Sequence, residues 1–130
     1  MSSFKVVIDM RGRFRGCAHS PFIGGDILIP AILAALTKEP TYGYSLIEKL
    51  EEIGINVSLF HPSIIYRTLR MMEMEGLVTS TWDIRDVGPA RRVYSITELG
   101  KDFLKSWSIS ARENLKVIER LIKAIEEGGE

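Results

Sequence analysis

Two arginines three residues apart, Arg67 and Arg70, lie in a stretch from Val57 to Met72 that holds no carboxylate. A guanidinium carries a planar fork of donors that can meet a phosphate, or the O6/N7 edge of guanine, with two hydrogen bonds at once. A second cationic group follows at Arg85, Arg91 and Arg92, where the segment from Ile84 to Ile96 sets three arginines against Asp86 alone. These residue types bind anions and base edges. Residues that make and break bonds are missing at workable spacing, with no Ser/His/Asp set, glycine-rich phosphate loop or carboxylate pair, so an enzyme is not expected. Cys17-x-His19 is half a metal site, but His61 is the only other histidine. A structural zinc needs about four ligands, so neither metal nor cofactor is expected.

The elements that must position these arginines are written around them. The stretch His61 to Leu77 reads as one helix, with Pro62 and Ser63 at its start and Gly76 at its stop. Leu77 falls where a residue beyond the stop packs back on Met72. Ile65, Leu69 and Met72 recur at i, i+4 and i+7 and face a core. Ser63, Ile64, Arg67 and Arg70 form the opposite face, with Tyr66 at its edge. Such a helix can enter a DNA major groove, and the same pattern also describes a solvated charged surface. Upstream, Asp26 to Thr37 is apolar on nearly every side and predicts a buried helix, its start blurred by Pro30, which suits a first turn. Thr41 then caps a second helix through about Gly54, with Leu46, Ile47, Leu50 and Ile53 as its inner stripe. Two helices joined by the short connection Gly54 to Phe60 make a helix-turn-helix pattern.

Beyond Gly76 the composition turns β-branched and aromatic, in Leu77 to Ile84 and again in Arg92 to Ile96. Val78, Ser80, Trp82 and Ile84 share one strand face, and Arg92, Tyr94 and Ile96 share one face of the return strand. The turn-forming tip around Gly88-Pro89 completes a hairpin. Flanked by Arg85, Arg91 and Arg92, it reads as a wing laid along the sugar–phosphate backbone, where the arginines release counterions. Arg67, Arg70, Arg91 and Arg92 are expected to form one continuous surface.

Thr97 is a good N-cap, and Glu98 suits the first turn of a final helix running to about Glu127. Its apolar positions, Leu99, Phe103, Trp107, Ala111, Leu115, Ile118, Ile122 and Ile125, step by threes and fours. About thirty residues span roughly 45 Å, whereas a body of about 70 residues is only some 25 Å across. The distal half therefore overhangs. Phe103, Trp107, Leu115, Ile118, Ile122 and Ile125 are the expected dimer interface, and two-fold pairing would offer recognition helices to successive major grooves. A helix folded back on its own domain is the alternative. Trp107 on that face could stack on a planar effector, although core packing is the commoner use of a helical Trp.

The chain thus divides into an extension (1–25), a winged helix-turn-helix (26–97) and a C-terminal helix (98–130). In the extension, Phe4 to Ile8 could form a short strand. The Arg11-Gly-Arg13-Phe-Arg15 arm could touch phosphates or be a loosely docked terminus. Hydrophobic residues at 45% and charged ones at 26% describe an ordinary globular protein of 130 residues. The longest apolar run is too short to span a bilayer, no signal pattern opens the chain, and one cysteine allows no intrachain disulfide, so a cytoplasmic location is expected. Net charge is zero, with acids gathered at Glu48–Glu52, Glu73–Glu75 and Glu126–Glu130. That balance leaves open a winged helix that serves as a protein-interaction or structural module and does not bind DNA.

Three pieces of the chain together resemble the PadR family of winged-helix transcriptional regulators. They are Tyr42-Gly43-Tyr44, then Ile65-Tyr66-x-x-Leu69-x-x-Met72-Glu-x-Glu-Gly76-Leu77, then Gly88-Pro-Ala-Arg91-Arg92-x-Tyr94-x-Ile96-Thr97-Glu-x-Gly100. The resemblance covers roughly Ile29 to Gly100. It implies an α+β, mostly α fold, a winged helix-turn-helix of three helices and a two-stranded wing with a long C-terminal dimerisation helix. It also implies a homodimeric repressor of double-stranded DNA, in some members released by phenolic or other flat hydrophobic effectors. By position, the DNA-facing set is Thr41 and Tyr44, then Ser63, Ile64, Tyr66, Arg67 and Arg70, then Arg91 and Arg92. The Met1–Gly25 extension lies outside this resemblance, and the single C-terminal helix resembles the short-tailed branch of the family.

Overall fold

The computed structural model describes residues 25–84 and 88–129. The expected N-terminal strand, the basic arm, the Cys17-x-His19 pair and Arg85 lie outside those residues. The first helix, α1 (Gly25–Leu36), is the centre of the core, as its all-round apolar surface predicts. Leu28, Ile29, Ile32, Leu33 and Leu36 are all buried. Around α1 pack α2 (Leu46–Ile53), α3 (Pro62–Met74), α4 (Glu98–Gly128) and strand β3 (Arg91–Ile96). Burying each such side chain stabilises by about 1.5–3 kcal/mol. The helix begins at Gly25, so Pro30 falls in its second turn rather than its first. The proline removes one backbone donor there.

The start of α2 differs from expectation. Thr41 does not cap a helix. Thr41–Tyr42 forms a short strand, β1, and Gly43–Ser45 a turn of 3-10 helix, so α2 begins only at Leu46. β1 pairs antiparallel with β3, placing Thr41 opposite Tyr94 and Tyr42 opposite Val93. Two residues after Pro40 show no periodicity of their own, and pairing with a distant strand decides their state. The hairpin itself forms as expected. β2 (Val78–Asp83) runs antiparallel to β3 with Val78 opposite Ile96, Ser80 opposite Tyr94 and Trp82 opposite Arg92. The sheet therefore has three strands in the order β1-β3-β2.

Helix α3 ends as its sequence foretells. Gly76 takes the left-handed conformation at φ 84°, and the Leu77 N–H bonds the Met72 carbonyl at 2.9 Å. The same turn anchors α4. The Thr97 hydroxyl contacts the carbonyls of Gly76 (2.6 Å) and Leu77 (3.0 Å) and accepts from the Gly100 N–H (3.0 Å). Gly100 leaves no room for a side chain, because a Cβ there would lie 2.2 Å from the Leu77 carbonyl oxygen. The Thr97-Glu-x-Gly100 sequence is thus the joint between the recognition-type helix, the wing and α4. Among the described residues no helix is long and apolar enough to cross a membrane, and no acidic, His or Cys group is placed to hold a metal.

Candidate nucleic-acid interface

Helix α3 turns Ile65, Leu69 and Met72 into the core and leaves Ser63, Arg67 and Arg70 exposed, as the spacing requires. Its first turn is capped by a residue that the sequence reading passed over. His61 accepts the Ser63 N–H on Nδ1 at 3.1 Å and lies 2.9 Å from the Ser63 hydroxyl. Imidazole is outside the usual Ser/Thr/Asp/Asn capping set, and the signal available was a polar residue just before the N1 proline. Ile64 is half-buried and packs against the core rather than standing free on the outer face. Tyr66 stays at the edge, its ring 3.2 Å from where a Cβ on Gly43 would stand, with Tyr94 at 3.4 Å from the same point. The Gly43 position thus seats α3 against the start of the second helical segment.

The wing carries its two described arginines on opposite faces. Strand alternation requires this of neighbours, and it corrects the expectation that Arg91 and Arg92 join one surface. Arg91 turns toward β1 and the 3-10 turn. Its Nη1 donates to the Tyr44 hydroxyl at 2.7 Å, and its guanidinium lies 5.2 Å from the Tyr44 ring centroid and 5.9 Å from that of Tyr42. The two tyrosine rings stack at 5.3 Å with 14° between their planes. The Tyr42 hydroxyl donates to Asp83 Oδ2, tying β1 to β2 across β3. Cation–π contact of this kind contributes about 0.5–1 kcal/mol at exposed sites.

Arg92 turns to the face shared with α3. It lies 4.9 Å from the Trp82 ring and donates Nε to Ser80 Oγ at 3.1 Å. Ser80 in turn donates to Glu73 Oε2 of α3 at 2.8 Å. Tyr94 is buried beneath this group. Burial pushes its hydroxyl above the ordinary tyrosine value, with Glu73 and Tyr66 acting in the same direction and Arg92 and Arg70 against it. Arg70 and Arg92 therefore act on one hydroxyl from two elements. Arg67 and Arg70 are exposed on α3 and Arg92 reaches α3 through Ser80 and Glu73, whereas Arg91 belongs to a second face with Tyr44.

Two further positions need correction. Thr41, assigned to the DNA side, is only 4% exposed, and its hydroxyl donates to the Glu39 carbonyl at 3.0 Å. Pairing in the sheet turns it inward beside Tyr94. Phe103, assigned to a subunit interface, is 7% exposed and belongs to the chain's own core, with Trp107 packed against that core one turn later. Of the remaining interface set, Leu115, Ile122 and Ile125 are exposed and Ile118 is half-buried.

The model of the transcriptional regulator PadR-like family matches residues 32–106. The chain is 30% identical over 109 residues to the transcriptional regulator YqjI of Escherichia coli, covering 84% of this chain and 49% of that protein. It thus spans about half the length of the curated relatives it matches. A PadR family transcription regulator from Clostridium difficile superposes with a TM-score of 0.66 at 26% identity, covering 73% of this chain and 97% of the other. Bacillus subtilis PadR, solved in complex with operator DNA, superposes at 0.54 with 29% identity, over 64% of this chain and 47% of that one.

Proposed function

We propose, from the premise that the chain belongs to the PadR-like family of transcriptional regulators, that it binds operator DNA as a homodimer and represses transcription. The observation that carries this reading is helix α3, which exposes Arg67 and Arg70 over a packed back and is tied through Glu73 and Ser80 to Arg92 of the wing. In this reading α3 lies in the major groove with Arg67 or Arg70 on guanine, a bidentate contact contributing about 1–3 kcal/mol of discrimination. Arg91 and Tyr44 face the sugar–phosphate backbone, Arg91 through charge and Tyr44 through its hydroxyl. The similarity to a PadR solved in complex with operator DNA supports DNA binding.

Pairing runs through the distal part of α4, where Leu115, Ile118, Ile122 and Ile125 continue a stripe that leaves the body of the domain. A two-fold axis there sets two α3 helices toward a near-palindromic site. A flat hydrophobic effector, if one releases the repressor, would meet Trp107, which sits where α4 departs from the core. It would have to compete with the packing already made there. Selection of bound sequences from random duplexes with the purified chain tests the whole reading. A retained motif with two related half-sites, bound with a steep negative salt dependence, is the expected result. Absence of any retained sequence, with salt-insensitive or no binding, would favour a winged-helix module that binds protein.

A further inference from the structure

Both described wing arginines are held in place, but they retain different groups. Arg91 uses a terminal nitrogen on Tyr44. Arg92 uses Nε on Ser80 and sets its guanidinium carbon over the Trp82 ring, and among the described residues its two terminal nitrogens take no hydrogen bond. The Ser80 hydroxyl has one proton, which goes to Glu73 Oε2 at 2.8 Å, so a lone pair remains for Arg92. The proton order is therefore fixed along Arg92, Ser80 and Glu73, a chain that crosses β3, β2 and α3. Glu73 lies one turn beyond Arg70 on α3. A carboxylate there repels phosphate, so on charge alone it weakens the binding that the rest of the face favours.

We infer that Glu73, acting through Ser80, is a positioning residue that aims the terminal nitrogens of Arg92 at a base edge, making Arg92 a determinant of sequence specificity rather than a phosphate contact. This rests on the DNA-binding reading given above. The test compares the full-length chain and its variants on two duplexes, one recovered by selection from a random pool and one with the same composition scrambled, across a series of salt concentrations. Arg92→Ala, Ser80→Ala and Glu73→Ala should each lower the ratio of selected to scrambled affinity about tenfold, toward the low end of what one bidentate base contact supplies. Ser80→Thr, which keeps the hydroxyl, should restore the ratio. Ser80→Ala added to Arg92→Ala should cause no further loss, since both remove one interaction.

Glu73→Ala and Glu73→Gln delete the same charge, but only the glutamine keeps an acceptor for Ser80. Glu73→Gln should therefore hold the ratio within about twofold while tightening scrambled-duplex binding, and Glu73→Ala should tighten scrambled binding and still lose the ratio. Equal behaviour of the two would overturn the inference, since charge alone would then explain both. An Arg92→Ala variant that weakens both duplexes alike and lowers the salt slope by about one would also overturn it, making Arg92 a phosphate contact. If the wild-type chain retains no sequence from the pool, the DNA-binding reading itself falls and takes this inference with it.

Discussion

The segment of α4 from Glu98 to Trp107 and the one from Ser108 to Gly128 carry similar apolar spacing in opposite surroundings. In the first, Gly100 touches the Leu77 carbonyl, Phe103 is 7% exposed, and Leu104 and Trp107 pack on the core. In the second, Leu115, Ile122 and Ile125 remain 55%, 48% and 69% exposed. The family match also ends at residue 106, close to this division. The difference teaches that periodicity marks a face without supplying its cover. At about 1.5 Å per residue the 31-residue helix spans roughly 46 Å. Its distal part is unsupported by the body, whereas helices in proteins draw most of their stability from packing an amphipathic face. A second copy of the same stripe is the cover proposed above.

The largest effect should come from the packed half. Phe103→Ala should cost about 3–5 kcal/mol, read as a lower urea midpoint. An unchanged midpoint would mean that the proximal half is not part of the core. Gly100→Ala should cost about 3 kcal/mol, the upper part of the overpacking range, because its Cβ would meet the Leu77 oxygen at 2.2 Å and Ile96 Cγ1 at 2.8 Å. Ile118→Glu with Ile122→Glu should leave the winged body folded and raise the dissociation constant for pairing roughly thirtyfold or more, an interface loss of about 2 kcal/mol. Sedimentation across a concentration series reads this directly, and loss of the fold in that variant would erase the contrast between the halves. At the boundary, Trp107→Phe should lower stability by about 1 kcal/mol, again read as a lower urea midpoint. Smallest of all, Leu115→Ala should shift stability within about 0.5 kcal/mol when the chain is dilute enough to be unpaired.

Much of the architecture could be read before any coordinates. The bounds of α3, the hairpin with Ser80 and Trp82 on one strand face and Arg92 and Tyr94 on one face of the other, and the cap at Thr97 all follow from residues close together in the chain. The proline before α3, the glycine after it and the change from a period of 3.6 to one of two are local signals. The misreadings share a cause. Thr41 looked like a cap because a two-residue strand leaves no pattern, and Phe103 looked like an interface residue because the stripe it belongs to runs unbroken past the core. Arg91 and Arg92 were grouped by charge although strand alternation separates them.

What the sequence by itself determined is therefore the four helices, the two strands of the wing and the identity of the cationic side chains. Chain order sets these, since backbone propensity, capping and periodicity act over a few residues. What only the tertiary structure decided is who meets whom. The Tyr42–Asp83 bond joins residues 41 apart, Tyr44–Arg91 residues 47 apart, and the path from Glu73 through Ser80 to Arg92 joins three elements. Such contacts depend on how the strands pair and how α3 lies on the sheet. No local pattern encodes those distances, because the partners meet only once the strands pair and α3 packs beside them.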